Sequence, residues 1–479
     1  MWTLLAYFLV LLGIGALTGR GGGNEGFFSA RRRSPWLMVA LGMVGASISG
    51  VSFISVPGMA QTSSMTYLQM CLGFIPGYFI VASVLLPVFY SLGKPTIYSY
   101  LEQRLGPVSY RTGAGFFMLS KMGGTAVKFY VVCMILQQRV AAGLGVPFPA
   151  TVCLLVLLVW LYTRRGGMKT LVWTDVFQTF AMFGALVLII FKVAGSLGMD
   201  MGEAVRAVAG DPRSRIFVFD DPMSRQYFWK QFISGILIVV VMTGLDQDMM
   251  QKNLTCKTLK DAKKDMCTYG VLFVPANLLL LSLGILLIRL SGTEGLELPE
   301  NTDSLVPMFA AGGRLGTTVT VLFTIGIVAA CFSSADSALT SMTTSFCLDF
   351  LGRDDDAKTR KIVHGAMAIV LAGCILVFGA VKSKSLLDTV YTIVSYTYGP
   401  LLGLFAFGLL TRRQVCDKAV PIIAIAAPVI CFITDAAIFR ATNYQCGYEI
   451  LLLNGLLTFT GLVLTGKPTR QGPRREARQ

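Results

Sequence analysis

The chain has 479 residues, of which 54% are hydrophobic and only 14% are charged. Soluble domains carry about 25% charged residues, so this composition excludes a soluble protein of two or three ordinary domains. The single histidine and the eleven scattered cysteines form no recognisable metal-binding or catalytic pattern, which argues against an enzyme.

Apolar runs of roughly twenty residues, each long enough to cross about 30 Å of hydrocarbon, recur along the chain. They predict an all-α polytopic membrane protein and not an outer-membrane barrel, whose segments would be short and alternating. The exterior loop 196–230 is expected to hold a short amphipathic helix over 201–208. The predicted spans are 2–18, 35–60, 66–92, 112–141, 147–163, 170–195, 231–249, 268–289, 316–347, 362–381, 386–410, 418–438 and 447–465.

The formal net charge of +15 is explained by the distribution of basic residues between the two sides. With the N-terminus outside and the C-terminal tail 466–479 in the cytoplasm, the cytoplasmic segments hold 27 of the 41 lysines and arginines, and the exterior segments hold 9. Cytoplasmic loops are enriched in basic residues, where they also contact anionic lipid. Nucleic acid is therefore not a predicted partner, and the oligomeric state is left open.

The second predicted span is interrupted at mid-depth by small and polar residues. Two glycines and three serines fall within 45–52, and Pro57 and Gly58 follow. Such a segment favours a broken helix, whose freed carbonyl groups must be satisfied by protein, water or an ion. Close helix packing through small residues is the alternative interpretation.

The fourth span carries two lysines, Lys121 and Lys128, on one helical face. At 1.5 Å per residue, Lys121 lies near the midplane, whereas Lys128 is far enough out to extend its side chain toward the interface. An ammonium group at the midplane needs a carboxylate partner. The sequence leaves open whether a protein side chain or a substrate provides it.

Two further spans carry polar groups. Asp175 enters the sixth span from the cytoplasmic side and, taken alone, is typical of a capping or surface-level acid. The ninth span is rich in hydroxyl groups around Asp336, which are the oxygen ligands that hard cations take. Hydroxyl groups also bond back to their own helix, but a carboxylate within a span costs about 2.5–3.5 kcal/mol and usually marks function. The ninth span therefore predicts cation coordination.

Six motifs, in this order along the chain, resemble those of the sodium:solute symporter family. Each is weak by itself, but together they cover nearly the whole chain. They are Phe27 to Arg32, Tyr98 to Gly106, the GGxxxxxxTDxxQ pattern of 166–178, Asp246 to Gln251, Ser333-Ser334 with the hydroxyl run to Asp349, and Tyr396 to Pro400.

The resemblance implies a sodium-coupled secondary active symporter, with Na⁺ as coupling ion and a small organic solute as substrate. It implies a single transporter domain with the five-plus-five inverted repeat of the leucine-transporter type, here about 35–195 and 231–410. The helices 2–18, 418–438 and 447–465 are additions to this core.

The resemblance also implies positions for the ions. The principal sodium site would use the carbonyl groups of Gly45, Ile48 and Ala330 and the hydroxyl groups of Ser333 and Ser334. A second sodium site, found in some members, would use Ser333, Asp336, Ser337 and Asp175. A hydroxyl residue is usual where this chain has Asp336, so this position would either strengthen ion binding or take a proton.

The implied substrate site lies beside the broken second span, near Ser49, Ser52, Phe53 and Gln69. In sialic-acid-transporting members an arginine on the fourth helix holds the substrate carboxylate, and Lys121 falls close to that place. We therefore predict an anionic solute, such as a sialic acid or another carboxylate, with Lys121 as its counter-ion. The alternatives are a sodium-coupled sugar or amino-acid symporter, a proton-coupled version, and, outside transporters, a channel or an ion-sensing receptor.

Overall fold

The computed structural model describes residues 2–19, 23–310, 314–353, 356–379, 386–442, 446 and 449–467. Over these residues the chain is helical, and its β-structure is limited to isolated bridges. Most of the predicted tail 466–479 lies outside the described residues. The helices are α1 Trp2–Thr18, α2 Gly23–Ser29, α3 Trp36–Ser47, α4 Gly50–Ser63, α5 Tyr67–Ile80, α6 Leu86–Leu92, α7 Ser99–Arg104, α8 Pro107–Leu136, α9 Phe148–Gly166, α10 Met168–Ser196, α11 Met201–Ala209, α12 Phe228–Val239, α13 Gln247–Asn253, α14 Leu259–Thr293, α15 Leu305–Ala310, α16 Gly316–Ser345, α17 Ala357–Gly379, α18 Leu386–Thr397, α19 Gly399–Leu410, α20 Val420–Thr442 and α21 Glu449–Thr465.

Eight helical segments of the described chain are long and apolar enough to cross a membrane, and two bent helix pairs bring the number to ten. Three shorter apolar helices, α1, α19 and α21, accompany them. Each of the thirteen predicted segments coincides with one of these helices or with a broken pair, and α18 with α19 covers 386–410. The polytopic helical class is thus confirmed, while thirteen crossings stay a prediction.

Two of the helices are broken at corresponding places of the two predicted repeats. The axis bends by 63° between α3 and α4 and by 71° between the α12 segment, Phe228–Gly244, and α13. Interrupted helices at matching positions of two halves are typical of transporters whose binding site lies at the breaks. The boundaries of the repeats stay a prediction.

The break between α3 and α4 also packs tightly against its neighbours. A Cβ atom added to Gly45 would fall on the side chain of Thr179, and one added to Gly50 would fall on the sulfur of Cys331. Larger residues would push α3 away from α10 and α4 away from α16. The small residues of 45–52 therefore both break the helix and allow close helix contacts, which are the two interpretations that the sequence left open.

Polar side chains from distant segments stabilise several helix ends. Asp417 accepts hydrogen bonds from the backbone amides of Val108 and Ser109, at 2.9 and 2.7 Å, and so caps α8. Asn454 donates to the carbonyl groups of Ser395 and Tyr396 where α18 gives way to α19. In the loop 196–230, the predicted amphipathic helix is present as α11, with a capping box at its start.

Candidate ion and substrate site

The break between α3 and α4 releases backbone carbonyl groups toward α16. The amide of Ser49 donates to the carbonyl of Ser47 at 3.0 Å. In a continuous α-helix this amide would donate to the carbonyl of Gly45, so the helical hydrogen-bond pattern is interrupted here. The Ser334 hydroxyl donates to the carbonyl groups of Ala46 and Ala330, at 3.0 and 3.2 Å, and so joins α3 to α16. This juxtaposition of carbonyl and hydroxyl oxygens has the donor chemistry that a small hard cation requires.

The residues predicted for a principal sodium site fit that donor set. They come from the two elements that meet at the break, and every contribution is an uncharged oxygen. The set comprises Gly45, Ile48, Ala330, Ser333 and Ser334, all buried. Their role as ligands stays a proposal.

The residues predicted for a second ion site also lie together. Ser333 donates to Asp175 at 2.7 Å, and Ser337 lies 3.3 Å from the Asp336 carboxylate. The hydroxyl of Tyr162 donates to Asp336 at 2.8 Å. Asp175 is buried well inside this cluster, so its structural position is not that of a surface-level acid.

A lysine completes this cluster. The Lys252 ammonium lies 2.7 Å from Asp175 Oδ2, and both side chains are 2% exposed. The sequence alone places Lys252 among the basic residues of a predicted cytoplasmic loop. Nothing in the sequence predicts the short helix α13, which carries this lysine into the protein. The sequence signal that could have identified Lys252 is its position directly after the Asp246 to Gln251 motif.

Lys121 forms the second buried charge cluster. Its ammonium lies 2.6 Å from Asp248 and 3.2 Å from Asp246. Asp246 also caps α13 through the amides of Asp248 and Met249 and accepts a hydrogen bond from the Tyr398 hydroxyl. In this structure the partners of Lys121 are therefore protein carboxylates, which is one of the two alternatives that the sequence allowed.

A cavity of about 40 Å³ adjoins the Lys121 cluster, at the meeting point of the broken helices with α8 and α18. Lys128 lines it, so the side chain turns inward and does not extend toward the outer interface. No residue whose side chain the structure describes forms an ion pair with Lys128. The lining is Ala46, Ser120, Lys121, Gly124, Thr125, Lys128, Met242, Asp246, Asp248, Met249, Ser334, Val390, Val394 and Tyr398.

Three of the other residues predicted for the substrate, Ser49, Ser52 and Phe53, lie at the start of α4. Ser49 precedes α4, and Phe53 packs against Phe323 on α16. Ser52 follows on the first turn of α4. Gln69 is engaged elsewhere, since its amide group donates to the carbonyl of Gln226 at 2.8 Å and accepts from the amide of Val218 at 3.0 Å. None of these four lines the central cavity, and their substrate role stays a prediction.

Comparison with known proteins identifies the family. The model of the sodium:solute symporter family matches residues 27–419, which is most of the chain. The chain belongs to this family. It is 27% identical over 429 residues to the human sodium/iodide cotransporter, covering 84% of this chain and 64% of that protein. It is 26% identical over 449 residues to the sodium-coupled monocarboxylate transporter 1 of Xenopus laevis, covering 86% of this chain and 68% of that protein.

A solved structure shares the fold. The substrate-bound, outward-open structure of a Na⁺-coupled sialic acid symporter superposes with a TM-score of 0.82 at 20% identity, covering 97% of this chain and 98% of that one. The fold is therefore that of the leucine-transporter type, as the motifs implied. Members of the family are transporters and not enzymes, and sodium is their coupling ion.

Proposed function

We propose that this protein is a sodium-coupled importer of a small organic anion, working by alternating access. The sodium would bind at the break between α3 and α4, and the anion would bind in the adjoining central cavity. The assignment of the anion to this cavity rests on Lys128, because Lys128 is the cation of the cavity that no described carboxylate neutralises.

The contrast between the two lysines supports this choice. Lys121 has two aspartates within 3.2 Å, so an incoming anion would have to compete with them. An unpaired ammonium costs about 2.5–3.5 kcal/mol at the centre of a span, and a bound carboxylate would offset a cost of this kind at Lys128. We therefore assign the counter-ion role that the sequence suggested for Lys121 to Lys128.

The names of the relatives support an anion independently. The human relative is named for iodide and the Xenopus relative for monocarboxylates, and both are anions. The Val51-Ser52 pair, at the place where sugar-transporting members have a Glu-Gln type pair, is against a sugar.

Coupling would follow from shared elements. Sodium bound between α3 and α16 would fix the wall that carries Ser334, which also lines the cavity. Each ligand would then raise the affinity of the other by a typical 1–3 kcal/mol. The membrane potential adds about 2.3 kcal/mol per 100 mV for each charge moved inward. The chain would lie in the cell membrane with its N-terminus outside and its basic loops against anionic cytoplasmic lipid.

The test compares Lys128 on α8 with the exposed Lys192 on α10. Purified protein would be heated in sodium or in potassium, with and without a panel of carboxylates, sugars and amino acids, and uptake would be measured in proteoliposomes. A carboxylate that stabilises the protein only in sodium is the expected result. Lys128→Gln should lose the carboxylate effect and keep the sodium effect, while the exposed Lys192→Gln should keep both.

Other outcomes would contradict the proposal. Stabilisation by acid in place of sodium would favour proton coupling. Rapid downhill flux without sodium would favour a channel, and sodium-dependent stabilisation without any flux would favour a receptor. Retention of full carboxylate affinity in Lys128→Gln would remove Lys128 from the site.

A further inference from the structure

An apolar groove runs along the surface of the helix bundle, between α9 and α17. Its volume is about 300 Å³, and no charged side chain lines it. Leu157 and Ile369 are 48% and 75% exposed, so the groove opens away from the protein core. Both helices are long and apolar enough to cross a membrane, and the groove therefore faces lipid. The lining residues are Cys153, Val156, Leu157, Trp160, Gly365, Ala368, Ile369 and Ala372.

Contacts at both ends fix how these two helices lie. Thr163 and His364 share a hydrogen bond of 2.9 Å, near the end of α9 and the beginning of α17. At the other end, a Cβ atom added to Gly379 would lie 3.6 Å from the ring of Phe148. The helices are therefore antiparallel. Because His364 also shares a hydrogen bond of 2.9 Å with Thr343 of α16, the pair is anchored to the core, and the groove is formed before any ligand binds.

Both helices carry a basic residue at the same end of the groove. On α9, Arg164 follows Trp160 by one turn and stacks on its ring, with the guanidinium 4.8 Å from the ring centroid. On α17, Lys361 precedes Gly365 by one turn. Gly365 lies opposite Trp160, since an added Cβ atom would be 3.8 Å from the indole nitrogen. Within the described part of the chain, neither Arg164 nor Lys361 forms an ion pair. The groove thus ends in two cations that an anionic group can bind.

The length of the groove corresponds to one leaflet of a bilayer. Cys153 and Arg164 lie eleven positions apart on α9, which is about 16 Å along a helix at 1.5 Å per residue. Half of a hydrocarbon core is about 15 Å thick. A lipid with its phosphate at the basic end would therefore extend an acyl chain along the whole groove. Trp160 would then lie near the headgroups, which is the level where tryptophan is enriched.

We propose that this groove binds one anionic phospholipid, with its phosphate on Arg164 and Lys361 and an acyl chain between α9 and α17. Basic pockets between spanning helices recognise acidic headgroups, and here such a basic end adjoins an apolar groove. The site shares no residue with the candidate ion and solute sites, so it does not depend on the proposed transport function.

The charge of the basic end decides between the possible occupants. A zwitterionic lipid would bring its own cation toward Arg164 and Lys361, whereas an anionic lipid brings none. In a two-fold dimer the same surface of each copy meets the other, so a second copy of the chain seated here would add like charges. An anionic lipid is therefore the occupant that the groove fits.

The test measures lipid binding to the purified protein in detergent micelles. Dioleoyl phosphatidylglycerol and dioleoyl phosphatidylcholine, which share their acyl chains, would be titrated and the bound lipid counted by native mass spectrometry. The melting temperature would be recorded alongside. We expect a single phosphatidylglycerol to bind more tightly than phosphatidylcholine and to raise the melting temperature. Inorganic phosphate, which has no acyl chain, should leave the melting temperature unchanged.

Two variants separate the headgroup contact from the chain contact. Arg164→Gln combined with Lys361→Gln should weaken phosphatidylglycerol binding about thirtyfold, because each basic residue near an anionic lipid contributes about fivefold. The preference over phosphatidylcholine should disappear with it. Gly365→Leu fills the groove and should weaken the binding of both lipids about fifteenfold, which is the effect of displacing about two buried methylene groups.

Matched controls make the same changes outside the groove. Lys257→Gln combined with Lys260→Gln removes two exposed charges at the start of α14, and Gly184→Leu adds the same side chain at an exposed position of α10. Both should bind lipid as the wild type does. If Gly365→Leu melts lower than the wild type in lipid-free micelles, Ala372→Leu fills the same groove farther from the Trp160 contact.

Three outcomes would overturn the proposal. Equal affinity for the two lipids, unchanged by the Arg164 and Lys361 substitutions, would show only the ordinary coverage of a lipid-facing surface. The same loss of binding in the Lys257 and Lys260 variant would show attraction by overall charge. A change of oligomeric state in Gly365→Leu without a change in lipid binding would show that the groove is an interface between copies of the chain.

Discussion

The ion pair between Lys252 and Asp175 provides a quantitative test of the charge balance in the core. Both side chains are 2% exposed and their charged atoms are 2.7 Å apart. Removing one partner of such a pair leaves a buried charge without compensation and costs about 3–5 kcal/mol. We therefore expect Lys252→Met to lower the free energy of unfolding by that amount, measured by denaturant titration in detergent micelles.

Two variants make the result specific. Lys252→Met combined with Asp175→Asn removes both charges, and we expect it to recover more than half of the lost stability. Lys94→Met breaks the surface pair with Glu102, whose side chains are 50% and 41% exposed, and should cost less than about 1 kcal/mol.

Sodium provides a second readout for the same variant. With Lys252 removed, the Asp175 carboxylate retains Ser333 and lies close to Asp336, so an external cation can replace the ammonium group. Sodium should then stabilise Lys252→Met more than it stabilises the wild type. Equal costs for Lys252→Met and Lys94→Met would refute the buried pair, and an unchanged sodium response would refute the replacement.

Three further changes test the framework around the site. Ser334→Ala should raise the sodium concentration for half-maximal stabilisation about tenfold, whereas Ser282→Ala, whose hydroxyl bonds only within its own helix at the exposed surface, should not change it. Asn454→Leu leaves two carbonyl groups at the α18–α19 junction without their donor and should cost about 1–3 kcal/mol of unfolding free energy; a loss below 0.5 kcal/mol would contradict this role. Asp417→Ala removes the cap of α8 and should cost about 0.5–2 kcal/mol by the same measurement, and full stability would show that the cap is dispensable.

The helices and the oxygen-rich parts of the site could be predicted from the sequence, because apolar length and intramembrane hydroxyl groups are local signals. Residues 45–52 and the run from Ser333 are visible as breaks in otherwise apolar segments. The partners of the charged groups could not be predicted. Lys252 lies 77 positions from Asp175 along the chain, and only the return of α13 into the protein brings them together.

The same limitation explains the position of Lys128. Distance along α8 predicts depth, but the direction of the side chain depends on whether a neighbouring element leaves space. Gly124, one turn before Lys128, provides that space on the cavity side. A glycine four residues before a lysine is common in any helix, so the pattern carries meaning only once the surrounding helices are known.

The two breaks differ in how their charge is balanced, and this difference would give sodium bound at the proposed site a physical role. At the second break, Asp246 caps α13, binds Lys121 of α8 and accepts from Tyr398, so built-in charges tie three elements together. At the first break, a neutral hydrogen bond from Ser334 to the Ala46 carbonyl joins α3 to α16. A cation at the first break would supply the attraction between elements that Lys121 already supplies at the second. Because a bound ion can leave and a lysine side chain cannot, an ion gradient would act on the first break if sodium binds there as proposed.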